Sequence, residues 1–322
     1  MKRSDFLKLA LAAGLGLQPG LVLAGGEKKV KTTPGPLPRR PLGSTGEHLS
    51  IIGFGGNIIK GEDQPSASRM IREAYEQGIN LFDVAPEYGN AEDLMGAPLE
   101  PFRKEIFLAC KSAVRDAAGS QRELETSLKK LRTDYFDLYQ LHHIMSKEDI
   151  DTAFGPGGAM ETLARAKEKG LVRFLGFSAH TVEAAFAAME RFDFDTIMFP
   201  INYISAFKGN FGPQVIEKAR EKGMGILAIK PGARCPRQRG EERTYRKCWY
   251  RPFKTMEEVS ASYSYTLSFP VTSALAPQEE ALHKMAVEAG KTFIPLSDSD
   301  REALKAAAAQ ENTLFSYPQW KG

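Results

Sequence analysis

Four polar side chains in the first half of the chain have the types and spacing to form one catalytic site. Asp83 and Tyr88 lie in the segment NLFDVAPEYGN, Lys111 ends the run IFLACK, and His142 ends the run FDLYQLH. A lysine ammonium beside a phenol stabilises the phenolate and lowers a phenol pKa that is otherwise near 10. An aspartate would keep the lysine charged, and a histidine could hydrogen-bond a carbonyl oxygen. Together these groups could give a proton to a carbonyl oxygen as it gains negative charge.

Each of these residues also has an ordinary structural explanation. Tyr88 precedes Gly-Asn and could be a surface turn residue, Asp83 could cap a loop, and Lys111 could be a solvated residue at a strand end. His142 is followed by His143, so the imidazole that faces inward depends on strand alternation. What favours catalysis is the position of the residues at or near the ends of three successive strand-like runs.

Eight short apolar runs, typical of buried strands, recur along the chain. They occupy residues 49–55, 80–85, 106–111, 136–142, 172–178, 196–202, 225–230 and 271–276. Helical patterns lie between them at 66–77, 120–131, 159–169, 181–191, 213–222 and 256–268, and a possible hairpin precedes them at 42–46. This alternation predicts a single-domain α/β protein, a closed parallel (β/α)8 TIM barrel in which strand C-termini share one face. An open doubly wound sheet is disfavoured because no Gly-x-Gly-x-x-Gly follows the first strand.

The bulk composition excludes several classes of function. Of 322 residues, 42% are hydrophobic and 26% charged, which suffices for a large core. The net charge is +3 and the basic residues are scattered rather than clustered in a stripe, so a nucleic-acid partner is not expected. The three cysteines Cys110, Cys235 and Cys248 show no CxxC spacing, and no metal site is expected.

The start of the chain predicts export. Residues 1–24 combine a basic start at Lys2 and Arg3, an apolar stretch and a Val-Leu-Ala segment typical of signal-peptide cleavage. The start resembles a twin-arginine (Tat-type) signal in which Ser4 replaces the second arginine. The apolar stretch is short for a stable membrane anchor. We therefore predict a signal peptide at 1–24, a linker at 25–39, a barrel at 40–322 and a periplasmic or otherwise exported protein. A helix packed on the barrel and a cytoplasmic location are the alternatives.

Several segments of the chain closely resemble the aldo-keto reductases. They are RPLGSTG at 40–46, NLFDVAPEYGNAEDLMG at 80–96, FLACK at 107–111 and DYFDLYQLH at 134–142, and the resemblance covers residues 40–289. It implies a barrel that binds NADP(H) across the strand ends and passes hydride to an aldehyde or ketone. The family's catalytic tetrad then falls on Asp83, Tyr88, Lys111 and His142, with Tyr88 as the proton donor.

The resemblance also implies cofactor contacts, with departures from the family pattern. Ser178 would bond the nicotinamide carboxamide, while Ala179 replaces the usual asparagine. Met198 stands where many relatives carry glutamine, and its thioether cannot replace both groups of an amide. Lys230 could reach the pyrophosphate. The full expected set is Gly55, Asp83, Ser178, Met198, Asn202, Lys230 and Lys284.

The largest departures follow the last two strands. Relatives carry a cation for the adenosine 2′-phosphate after strand eight, whereas here Glu279 and Glu280 precede the first cation, Lys284. The resemblance favours NADP(H) over NAD(H) if Lys284 or a basic loop compensates, and otherwise NAD(H) or weaker binding is left open. The Arg-rich loop at 233–254 is either a lid that pairs cofactor phosphates or an exposed polar loop.

The sequence thus predicts an NAD(P)H-dependent reductase of a small carbonyl or sugar-like substrate. A ligand-binding barrel with little or no turnover is one alternative, because the cofactor positions are altered. A Schiff-base aldolase-type barrel using Lys111 or Lys230 is another, although it would not explain Tyr88 and His142. The substrate's identity and the oligomeric state cannot be read from the sequence.

Overall fold

The computed structural model describes residues 36–318. The predicted signal peptide at 1–24 and most of the predicted linker lie outside the described residues. The described part begins with an antiparallel hairpin of β1 (Arg39–Pro41) and β2 (His48–Ser50), as the sequence predicts. Gly43 in its turn has φ +52°, and a Cβ there would lie 2.4 Å from the backbone nitrogen of Gly225. Only glycine allows the hairpin to approach the barrel this closely.

Eight parallel strands close into a barrel in chain order, with the last strand pairing with the first. They are β3 (Ile52–Gly55), β4 (Leu81–Asp83), β5 (Phe107–Ser112), β6 (Phe136–Ile144), β7 (Val172–Ala179), β8 (Thr196–Pro200), β9 (Gly225–Ile229) and β12 (Ser273–Leu275). Each overlaps one predicted run, so the predicted (β/α)8 barrel is confirmed. The strand C-termini meet at one face.

The barrel interior is filled by apolar side chains, and the hairpin plugs its N-terminal end. Leu42 and Leu49 of the hairpin join Leu81, Leu138 and residues of the other strands in one buried cluster. A larger apolar layer separates the strands from the surrounding helices. Among residues 36–318, the hairpin therefore closes the N-terminal end of the barrel and leaves the C-terminal face open to a ligand.

Helices connect the strands on the outside of the barrel. They are α1 (Gln64–Glu76), α2 (Ala91–Leu99), α3 (Ala117–Lys130), α4 (Lys147–Phe154), α5 (Ala159–Glu168), α6 (Val182–Arg191), α7 (Tyr203–Gly209), α8 (Pro213–Glu221), α9 (Met256–Leu267), α10 (Glu280–Lys291) and α11 (Asp298–Ala309), with 3-10 helices at Gly56–Ile58 and Glu100–Glu105. The six predicted helices correspond to α1, α3, α5, α6, α8 and α9. Within residues 36–318, no helix has both the length and the apolar character needed to cross a membrane.

The Arg-rich loop at 233–254 forms a second hairpin, made of β10 (Ala233–Pro236) and β11 (Tyr250–Pro252). Several of its cations already bond protein groups. Arg234 pairs with Glu258 and Glu311, and Lys247 pairs with Glu62 at 2.6 Å. The loop is therefore anchored across the C-terminal face by ion pairs, and Arg234 and Lys247 are held by carboxylates of the protein.

Candidate active site

A cavity of about 310 Å³ opens at the C-terminal face of the barrel. Three of the four predicted catalytic residues line it, namely Asp83, Tyr88 and His142. Lys111 lies beneath them with no exposed side-chain surface. Because the strands of the barrel end at one face, residues that are up to 59 positions apart in the sequence meet at this cavity.

Lys111 and Asp83 form a buried ion pair between neighbouring strands β5 and β4. The Lys111 ammonium donates to Oδ2 of Asp83 at 2.6 Å and to the carbonyl of Val84 at 3.0 Å. Gln140 on β6 approaches the other carboxylate oxygen at 3.4 Å. Burial alone would lower the pKa of Lys111, but Asp83 and Tyr88 raise it above its ordinary value. Lys111 is therefore held as an ammonium rather than as the free amine that a Schiff base needs.

Tyr88 stands over this ion pair. The Lys111 ammonium lies 5.1 Å from the centroid of the Tyr88 ring. Burial raises the pKa of Tyr88, while the positive charge of Lys111 acts to lower it. The net direction is upward because desolvation outweighs the charge, so the expectation of a lowered phenol pKa is wrong. The phenol accordingly carries its proton, as a proton donor must.

Both histidines of the pair at 142–143 line the cavity. The ladder between β6 and β7 shifts register between Leu141 and Ile144, and His143 has φ +58°. This bulge interrupts strand alternation, which would otherwise have sent the two imidazoles to opposite faces. The His142 ring lies 5.8 Å from the Tyr88 ring, edge to face.

His142 is a neutral imidazole. Burial, together with the charge of Lys111, lowers its pKa to about 2. Its Nδ1 lies 2.7 Å from a carboxylate oxygen of Glu87 but without hydrogen-bond geometry. A neutral ring keeps one N–H donor, which suits hydrogen bonding to a carbonyl oxygen.

Part of the expected cofactor set also lines the cavity, namely Gly55, Ser178, Met198 and Lys230. The Ser178 hydroxyl oxygen accepts the backbone N–H of His143 at 2.7 Å, so its own proton remains available for a carboxamide oxygen. Met198 is buried and, with Leu275 and Ile229, provides an apolar wall. A hydroxyl donor beside an apolar wall fits a nicotinamide ring.

Asn202 and Lys284 of the expected set lie elsewhere. The Asn202 side chain caps α7 by accepting the N–H of Ser205 at 2.9 Å, and its amide approaches the Lys230 carbonyl at 3.4 Å. Lys284 lies on the outer surface, where it bonds Glu280 at 2.7 Å and Glu73 at 3.4 Å. Neither residue lines the cavity.

The structure adds residues that the sequence reasoning did not place in the site. His180 and Trp249 line the cavity, and the Lys230 ammonium lies 2.8 Å from Nε2 of His180. His180 follows Ser178 by two residues, so its place at the end of β7 was a readable signal. Trp249 gave no such signal, because it reaches the cavity only through the fold of the 233–254 hairpin.

The chain matches a known protein family over most of its length. A model of the Aldo/keto reductase family matches residues 51–297. Aldo-keto reductase YhdN of Bacillus subtilis is 31% identical over 161 residues, which are 44% of this chain and 47% of that protein. L-galactose dehydrogenase of Arabidopsis thaliana is 25% identical over 210 residues, 60% of this chain and 64% of that protein.

A solved structure gives the same architecture. Aldo-keto reductase AKR11C1 of Bacillus halodurans in its holo form aligns with a TM-score of 0.69 at 24% identity, covering 88% of this chain and 99% of that one. This likeness concerns the fold alone. The alignment with YhdN spans about half the length of that relative.

Proposed function

The chain belongs to the aldo/keto reductase family, and on that premise we propose that it reduces an aldehyde or ketone to an alcohol with Tyr88 as the proton donor. The observation that carries this proposal is the placement of Tyr88 and His142 at one cavity, above the buried ion pair of Lys111 and Asp83. A bound NADPH or NADH would supply the hydride.

Each residue has a separate task in this proposal. An N–H of neutral His142 positions the substrate carbonyl oxygen by a hydrogen bond. The Tyr88 hydroxyl donates its proton to that oxygen as negative charge develops there. The Lys111 ammonium then stabilises the phenolate left behind, and Asp83 keeps Lys111 charged and oriented. Ser178, Gly55 and Met198 would hold the nicotinamide end of the cofactor.

We favour NADPH over NADH. Glu279 and Glu280, which follow β12, would disfavour the adenosine 2′-phosphate of NADPH only if no protein group compensated their negative charges. Glu280 accepts two hydrogen bonds from Arg69, at 2.8 and 3.0 Å, and a third contact from Lys284. Glu279 accepts the backbone N–H of Lys247 at 2.7 Å.

A double variant, Arg69→Ala with Lys284→Ala, should weaken NADPH binding more than NADH binding, as measured by cofactor fluorescence. An equal loss of affinity for NADPH and NADH would remove the basis for this preference.

The activity itself is tested by adding a panel of small aldehydes and sugar aldehydes to the full chain with NADPH and following cofactor absorbance. Turnover should be lost in Tyr88→Phe and retained in Tyr75→Phe. The latter removes a hydroxyl that bonds Glu105 on the outside of the barrel and so serves as a matched control. Tight cofactor binding without turnover of any substrate would favour the alternative, a ligand-binding barrel.

The cellular location of the protein is a separate proposal. The signal-like composition of residues 1–24 supports export to the periplasm or beyond, with cytoplasmic retention as the alternative. Fractionation of expressing cells, with sequencing of the mature N-terminus, tests it. A protein that starts at Met1 and stays in the cytoplasmic fraction would contradict export.

A further inference from the structure

A second polar cluster lies beside the tetrad in the same cavity. It consists of His143, His180 and Lys230, all of which line the cavity wall. The rings of His143 and His180 are 4.6 Å apart, and Nε2 of His180 is 2.8 Å from the Lys230 ammonium. The step described above for carbonyl reduction uses none of these side chains.

Lys230 is unusual because no carboxylate of the described residues offsets the desolvation of its ammonium, and this desolvation lowers its pKa to about 7. Among residues 36–318, no carboxylate lies within ion-pair distance of it, whereas Lys111 in the same cavity is paired with Asp83 at 2.6 Å. Two aromatic faces flank the ammonium, with centroids 5.8 Å away in Trp249 and 5.5 Å away in Phe315. Such faces favour a cation. For a half-buried lysine without a carboxylate, a bound anion raises the pKa again and restores the full positive charge, so the site favours an anionic group.

The backbone holds this cluster in place. Lys230 has φ +60° and His143 has φ +58°, a left-handed conformation that costs free energy for residues other than glycine. The Asn202 amide approaches the Lys230 carbonyl at 3.4 Å, and the Ala233 N–H donates to the same carbonyl at 3.1 Å. The surrounding structure therefore fixes the strand end that presents Lys230 to the cavity.

The cluster is continuous with the catalytic residues. Ring contacts run from Tyr88 to His142, from His142 to His143 and from His143 to His180, none longer than 6.3 Å between centroids. Lys230 follows at 2.8 Å from His180. Tyr88 and Lys230 thus lie toward the two ends of one continuous polar wall of the cavity.

We infer that Lys230, His180 and His143 form an anion subsite for the substrate, so that the preferred substrates are small carbonyl compounds that also carry a carboxylate. The inference rests on the proposed carbonyl reduction and adds the class of substrate. His180 orients the Lys230 ammonium, which bonds the substrate's carboxylate while the carbonyl oxygen meets Tyr88 and His142.

The test compares 4-carboxybenzaldehyde with its neutral methyl ester, methyl 4-formylbenzoate, using the full chain and NADPH. Wild-type kcat/KM should be at least about tenfold higher for the acid, the size expected for a hydrogen bond between charged groups. This ratio should fall to about one in Lys230→Met and partly in His180→Gln. It should persist in Lys222→Met, a matched control whose ammonium pairs with Asp193 on the outside of the barrel.

Other results would overturn the inference. Equal use of acid and ester by the wild type would remove its basis. If Lys230→Met weakens NADPH and NADH binding and slows both aldehydes equally, Lys230 serves the cofactor phosphates instead. A borohydride-trapped adduct on Lys230 would assign it to Schiff-base chemistry.

A binding measurement separates this inference from the proposed activity. Calorimetric titration of 4-carboxybenzaldehyde and its ester into the full chain needs no turnover. If neither compound is reduced but only the acid binds, and Lys230→Met abolishes that binding, the subsite stands and the proposed reduction fails. If neither compound binds, the subsite is refuted.

Discussion

Replacing Asp83 by asparagine should expose how much the fold and the chemistry depend on the buried ion pair. The change keeps the shape of the side chain but removes the charge that lies 2.6 Å from the Lys111 ammonium. Lys111 has no exposed side-chain surface, and its remaining acceptors would be neutral oxygens, the Val84 carbonyl at 3.0 Å and the amide of the new asparagine. Removing one partner of such a pair costs about 3–5 kcal/mol of unfolding free energy, because the remaining charge is buried and unpaired.

The loss should depend on pH in a defined direction. In the wild type the pKa of Lys111 is raised, so its stabilising effect is complete below the unfolded pKa, about 10.4, and is lost as pH rises through the folded pKa. In Asp83→Asn, burial is no longer opposed by the carboxylate and lowers the pKa of Lys111. The penalty is then largest at low pH and fades as pH approaches the unfolded pKa. Urea unfolding at pH 6, 7.5 and 9.5, followed by circular dichroism, should show that the difference in unfolding free energy between variant and wild type decreases as pH rises.

A double variant provides the control. Asp83→Asn combined with Lys111→Met removes both charges, and it should recover at least about 2 kcal/mol relative to Asp83→Asn alone. Both variants should lose turnover. A cost below about 1 kcal/mol for Asp83→Asn at pH 6, or a gap that does not change with pH, would refute the buried ion pair as the element that holds Lys111 charged.

Three further predictions concern single side chains. Tyr88→Phe should lower kcat by about 10²–10⁴-fold while the dissociation constant of NADPH, measured by fluorescence, changes less than twofold; a drop below tenfold would assign the proton to another donor. Ser178→Ala removes the acceptor of the His143 N–H and should raise the NADPH dissociation constant by about tenfold; an unchanged constant would place the carboxamide elsewhere. His142, whose pKa is lowered to about 2, should stay neutral, so the kcat–pH profile of Lys230→Met, which lacks the cavity lysine whose pKa is lowered to about 7, should show no inflection near 6.5. Because the folded pKa of His142 lies below its unfolded value, His142 lowers the free energy of unfolding as pH falls below about 6.5. Between pH 7 and pH 4, the free energy of unfolding of His142→Gln should therefore rise by about 1–3 kcal/mol relative to that of the wild type. A difference that does not change with pH would contradict the neutral imidazole.

The barrel was predictable because its strands are buried on both sides. Such strands appear in the sequence as continuous apolar runs, and polar residues that end them fall at one face of the barrel. The helices that escaped prediction are mostly short or weakly patterned. For example, α7 (Tyr203–Gly209) has only seven residues, and α11 (Asp298–Ala309) buries only Leu304 and Ala308. Neither helix shows a long apolar stripe that would reveal it.

The parts of the site that escaped prediction depend on relations between distant segments. His143 lines the cavity beside His142 because of a register shift against β7, which no local pattern in β6 records. Lys284 was a reasonable phosphate ligand by sequence position, yet its nearest carboxylates are Glu280 on its own helix and Glu73 on α1. The 50-residue separation of His180 and Lys230 hides their contact in the same way.

The most direct test of the proposed chemistry follows the transferred hydrogen. The full chain is incubated with NADPH carrying deuterium at the hydride position and with an aldehyde that it consumes, and the alcohol is analysed by mass spectrometry. The proposed reduction predicts one deuterium on the carbinol carbon of each alcohol molecule, and no labelled alcohol with Tyr88→Phe. An unlabelled alcohol, or labelled alcohol formed equally by Tyr88→Phe, would contradict carbonyl reduction with Tyr88 as the proton donor.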